Sequence, residues 1–207
     1  MDNENFVNNV IEYVVTPAVN GVGVLDNAKD LALTYINDAS LTNKTEKVDT
    51  LINWETSKNS ITGFIAGCGG GLMVPVGIAG DLMASWVYQA RMSAAIAYIY
   101  DYDIYDERVK TMVLFAIVGD AGKEALKEIG KGICIKSANE FIKKNISRET
   151  IKAINKAFGY RLVTKAGSHG LINLTKWVPV LGGIVGGVFD CVSCQAVGRT
   201  AKSLFAR

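Results

Sequence analysis

A chain of 207 residues is long enough to bury a substantial core as one large or two small domains, and only three prolines argue against extended disorder. The 49% hydrophobic content and mean hydropathy of +0.21 are high for a freely soluble protein, yet 20% charged residues is too many for a polytopic membrane protein. The net charge of +2 hides a split: residues 1–109 hold 14 acidic and 6 basic side chains, a balance of −8, and residues 110–207 hold 6 acidic and 16 basic, a balance of +10.

The amino terminus, Met1 to Phe6, is acidic and lacks the basic region and apolar core of a secretory signal. Hydrophobic spacing is helical nearly everywhere, and no run alternates as a strand would. A first helix is predicted over Asn5 to Val19, bent near Pro17, and a second over Asn27 to Asp38 behind an Asp26 cap. Thr42 or Asn43 caps a third, which carries mixed charge through Glu55 before turning apolar.

Gly63, Gly67 and Gly71 then fall on one helix face, where another backbone can approach. A turn precedes Pro75, and a long helix is predicted from Pro75 to Tyr100. Asp101, Asp103 and Asp106 form a loop before a helix over Glu107 to Val118. Basic amphipathic helices follow over Lys123–Asn145 and Arg148–Phe158, the second capped by Ser147. The closing helix is predicted from Pro179 towards Phe205.

From Asn59 to Tyr100 there are 42 residues with two charges, Asp81 and Arg91, and Trp177 to Gly198 holds one, Asp190, closed by Arg199. Residues 59–80 are long enough for a span of about 20 residues, but seven glycines and a proline make insertion marginal. A buried core hairpin is the favoured reading, ahead of shallow membrane insertion. Gly77 to Gln89 and Gly183 to Gln195 share a twelve-residue interval, a faint internal echo that places Asp81 and Asp190 three positions apart on alignment.

Charges inside apolar sequence are expensive unless paired. Asp81 and Arg91 are ten residues apart, about 15 Å along a helix, too far to pair within it. Crossed pairs, Asp81 with Arg199 and Asp190 with Arg91, form if the two glycine-rich helices pack together. The favoured role is a core clasp. The alternative is a cavity of Asp81, Gln89, Arg91, Asp190 and Arg199 that takes a phosphate or carboxylate through the arginines, with an aspartate as general base.

Cys68, Cys134, Cys191 and Cys194 are too sparse for a disulfide scaffold, and reduced thiols in a cytoplasmic setting fit best. Cys191–Cys194 has CxxC spacing but no second pair to complete a zinc site, so no metal or cofactor is expected. His169, the only histidine, falls in a predicted loop over Gly167 to Gly170. Gly67–Leu72 lacks the last glycine of a dinucleotide fingerprint, and Gly122-Lys123-Glu124 lacks the hydroxyl residue of a P-loop. The basic half suits an anionic phospholipid surface or a membrane protein, unless the two charged halves simply face each other or solvent. No aromatic-basic reading motif points to nucleic acid.

The segment Gly63-Phe64-Ile65-Ala66-Gly67, through Pro75 to Asp81, to Gln89-Ala90-Arg91-Met92 resembles the EcsC protein family, as do Tyr102-Asp103 and Asp106 to Lys110. The closing Pro179 to Gly183, Gly186-Gly187, Asp190 and Val197-Gly198-Arg199 is similar to that family's terminal motif. The resemblance implies a bacterial, helical protein in a membrane-linked setting, through association with an ABC-transporter operon, and it transfers no catalytic set.

The expected architecture is all-α: residues 1–22 as an N-terminal helix, then residues 23–207 as a compact EcsC-like helical domain around two glycine-rich segments. The expected function is a membrane-associated binding or accessory protein, cytoplasmic and peripheral to the inner face of the cell membrane. The rivals are a hydrolase-like enzyme acting on a phosphorylated or lipid-like substrate in the Asp/Arg cavity, and a glycine-zipper oligomer that inserts into membranes.

Overall fold

The structure, a computed structural model, describes residues 3–23, 25–59, 80–129, 137–144, 146–171 and 182–206. The side chains of residues 3, 59 and 81, of residues 165–171 and of residues 182–191 lie outside that description. The glycine stripe Gly63, Gly67 and Gly71, Pro75, Pro179, Cys68 and Cys134 lie outside the described residues. So does most of the 59–80 stretch considered as a span. Among the described residues every element is helical, apart from an isolated bridge between Val22 and Leu25.

The chain opens with α1 (Asn3–Asn8), a π-helical turn (Ile11–Val15) and α2 (Thr16–Asn20). Pro17 sits in the first turn of α2, where its missing N–H costs little. The irregularity lies just upstream, where the Thr16 N–H reaches back to the carbonyl of Ile11. Helix α3 (Ala28–Ile36) is capped by Asn27, one residue later than expected. Asn27 is in extended backbone, and its Oδ1 accepts the Asp30 N–H at 2.8 Å.

Helix α4 (Lys44–Asn59) starts with Asn43 Oδ1 accepting the Glu46 N–H at 2.9 Å. Helix α5 (Gly80–Ile99) leads into the aspartate loop, and Asp106 caps α6 (Glu107–Val118) by accepting the Arg108 N–H at 2.7 Å. The Arg108 guanidinium also donates to Asp106 at 2.8 Å, and that bond holds the carboxyl below its ordinary value.

Gly119, at φ +67°, ends α6 and turns the chain into α7 (Asp120–Glu128). The helix predicted over Lys123–Asn145 is therefore divided, into α7 and α8 (Ala138–Lys143). Helix α9 (Arg148–Leu171) outruns its expected end at Phe158 and includes residues 167–170, so His169 sits on a helix rather than in a loop. The buried spacing Ile151, Ile154, Phe158 and Leu162 continues past Gly159, which explains the extension. Helix α10 (Gly182–Phe205) closes the order.

Helix α5 is the central pillar: α2, α3, α4, α6 and α10 all pack on it, and every side chain from Met83 to Ala97 is buried. A helix buried on all sides explains why its sequence shows no polar face. Helices α5 and α10 do pack together. Helix α9 lies against α1, α6 and α7. At Gly159 a Cβ would sit 3.0 Å from the Val7 carbonyl oxygen, so the backbones of α9 and α1 touch there.

Candidate functional site

Arg91 projects from the middle of α5 and is only 7% exposed. The acid beside it is Glu55 of α4, fully buried, with Arg91 Nη2 donating to Glu55 Oε2 at 2.7 Å. Glu55 gets there through the geometry of its own helix. Val48, Leu51, Ile52, Glu55 and Thr56 fall at i, i+3, i+4, i+7 and i+8, the spacing of an inward-facing stripe, and all five are buried.

Two more donors complete the carboxylate's surroundings. Tyr88 hydroxyl lies 2.7 Å from Glu55 Oε2 and 2.9 Å from the Glu55 carbonyl oxygen. Lys58, half exposed, donates to Oε1 at 3.2 Å. Tyr88 stands one turn before Arg91, whose guanidinium lies over its ring at 5.4 Å. A buried ion pair is sustained only where such extra hydrogen bonds satisfy the remaining lone pairs.

The phenols feel this carboxylate. Burial, and then the Glu55 charge, push the Tyr35 hydroxyl up to about 12, and the same two causes raise Tyr88 further. Both therefore remain protonated O–H groups at neutral pH.

Above the pair opens a cleft of about 210 Å³, lined by Asp26, Asp30, Tyr35, Trp54, Lys58 and Arg91 among others. Arg91 Nη1 donates to the Asp26 carbonyl oxygen at 3.3 Å, whereas its buried Nε finds no acceptor among the described residues. Trp54 is 58% exposed at the rim, with Lys58 Nζ 5.8 Å from its ring. A second hollow of about 280 Å³, lined by Asn20, Gly21, Leu25 and Asn27 among others, shares Asp26 and Asp30 with the cleft.

Of the residues singled out in sequence, the described side chains of Gln89, Arg91 and Arg199 do not converge on one place. Gln89, two positions from Arg91, points the other way: its Nε2 lies 3.3 Å from Ser85 Oγ and 3.2 Å from Ser193 Oγ, tying α5 to α10. Arg199 is exposed on α10 and is not part of the cleft wall. The side chains of Asp81 and Asp190 lie outside the described residues, although both positions are helical. Cys194 is buried on α10 with its sulfur 3.8 Å from that of Met92. Among the described residues no group of three or more His, Cys, Asp and Glu side chains is placed to hold a metal ion.

A different polar surface runs along α9. Arg148, Lys152, Lys156 and Tyr160 follow one another at four-residue steps; all but half-buried Lys156 are exposed, and its ammonium lies 6.0 Å from the Tyr160 ring. Only Glu149 interrupts the positive charge over these turns, because Arg161 is paired with Glu128 of α7. Among the described residues no helix is long and apolar enough to cross a membrane.

Helices packed around one buried pillar, with an ion pair beneath a small polar cleft, define an all-helical protein of one compact domain. The chain belongs to the EcsC protein family, whose model matches residues 3–207 and so takes in α1 as well. Neither the curated proteins nor the solved structures yield a match.

Proposed function

We propose that this EcsC-family chain is a binding or accessory module that docks peripherally on an anionic membrane surface through α9. The carrying observation is the stripe Arg148, Lys152, Lys156 and Tyr160, three cations followed by an exposed aromatic ring. Basic residues near an anionic leaflet each contribute about 1 kcal/mol, and tyrosine suits the headgroup level because its ring is apolar and its tip polar. The balance of +10 over residues 110–207 extends the same attraction beyond one helix. The cleft supports binding rather than turnover, since the one carboxylate at its floor, Glu55, is already engaged by Arg91 and Lys58. The family resemblance adds an ABC-type transporter as the partner at the cytoplasmic face.

Flotation with phosphatidylglycerol-containing vesicles tests this. The protein should rise with the vesicles at low salt, stay behind with phosphatidylcholine alone, and be released as salt screens the contact. Failure to rise with anionic vesicles at low salt would falsify the reading.

A further inference from the structure

We propose that the cleft above Arg91 binds a small zwitterion, an anionic phosphoester or carboxylate joined by a short linker to an ammonium group. The charge arrangement selects this class. At the floor, Arg91 and Lys58 carry two positive charges against the single carboxylate of Glu55, leaving one in excess. The rim adds Asp26 and Asp30, two exposed carboxylates in the same wall.

A simple anion at the arginine shares the cleft with the two aspartates, and a simple cation held by the aspartates shares it with the guanidinium. Only a molecule carrying both signs satisfies both ends. The anion-binding end is built, not incidental. Arg91 is more than nine-tenths buried, borders the cleft, and keeps an Nε–H with no acceptor among the described residues. Leaving such a donor unmet in the interior costs free energy that an anionic oxygen would recover.

At the other end the ammonium meets the Asp26 and Asp30 carboxylates, with exposed Trp54 in the same wall. The volume of about 210 Å³ corresponds to roughly seven waters at their liquid volume, room for a headgroup-sized molecule and not for an acyl chain. The adjoining hollow provides an exit for a longer substituent.

The probe is phosphoethanolamine, titrated calorimetrically into the full chain beside its two halves, inorganic phosphate and ethanolamine. It should bind at least about tenfold more tightly than either half, the gain expected from one charge-assisted contact. Asp26→Asn with Asp30→Asn should remove about tenfold of its affinity and leave inorganic phosphate unweakened, and Lys58→Met should weaken both. All three positions are exposed, so these variants keep the fold, which thermal unfolding checks. Equal affinity for phosphoethanolamine and inorganic phosphate, or no response to the double aspartate change, overturns the proposal.

Phosphatidylethanolamine vesicles separate the sources: competition with the soluble ester assigns the ligand to a lipid headgroup, and lack of competition assigns it to a free metabolite. The site is independent of membrane docking, and Lys152→Glu should leave the calorimetric affinity unchanged.

Discussion

The Arg91 site and the α9 stripe handle positive charge in opposite ways. Arg91 is drawn into a helix buried on all sides and held by one carboxylate, one phenol and a backbone carbonyl. Arg148 and Lys152 stand in solvent on a helix whose only acidic residue over the same turns is Glu149. The first arrangement fixes geometry at a high cost of failure; the second costs almost nothing to alter and acts through its summed field. Burial, more than charge number, decides which substitution matters.

The sharpest way to break the comparison is Glu55→Ala. It leaves the Arg91 guanidinium buried without its counter-charge and should cost about 3–5 kcal/mol in urea unfolding. Joining it to Arg91→Met should recover much of that loss, because replacing a whole buried pair by apolar groups is often nearly neutral. A cost below about 1 kcal/mol for the single change would show that solvent, not Glu55, balances Arg91.

Tyr88→Phe removes one donor to Glu55 and should cost about 1.5–3 kcal/mol, measured the same way. The alkaline limb of stability sharpens the same point. Tyr35 holds its proton up to about 12 against an ordinary value of 10.0, and Tyr88 is raised further. The folded state therefore keeps protons that the unfolded chain releases; this contribution is complete below pH 10 and is lost as pH climbs from 10 through 12. Denaturation midpoints recorded across that window should fall more steeply for the natural chain than for Tyr35→Phe.

Lys152→Glu marks the other extreme. Its effect on stability should stay within about 0.5 kcal/mol, while reversing one charge in the stripe should weaken anionic-vesicle binding by roughly tenfold or more. If vesicle binding survived intact, α9 would lose its assigned role.

Much of the fold was legible because local rules decided it. Helix α6 spans the predicted Glu107 to Val118, with the cap at Asp106 and the loop of aspartates before it. Where the reading failed, tertiary contact overrode local preference. The helix expected to end at Phe158 continues as α9 through the stretch read as a loop, and Gly159 lies against the backbone of Val7. Division of the 123–145 helix likewise escaped a pattern that stayed amphipathic throughout.

The site was half visible. Arg91 stands out as a charge in apolar sequence, whereas its acid comes from a helix of mixed charge. Glu55 lay among ordinary surface charges, Lys47, Asp49 and Lys58. Its tell was positional: it occupies a slot in the stripe of Val48, Leu51 and Ile52 that a hydrophobic residue would fill. Which helix packs against which, and therefore that α4 would meet α5 at that slot, is not encoded in the period of either helix.

The touching backbones of Val7 and Gly159 also bear on how the molecule is made. Val7 and Val10 of the first turns are covered at Gly159 of α9, far downstream in sequence, whereas Phe6 stacks on Trp86 of α5. During synthesis the Val7 face of α1 must wait uncovered until α9 has emerged. Contacts of such long sequence separation slow folding and expose nascent apolar surface. A chain stopped before α9 would leave Val7 and Val10 for a chaperone to shelter.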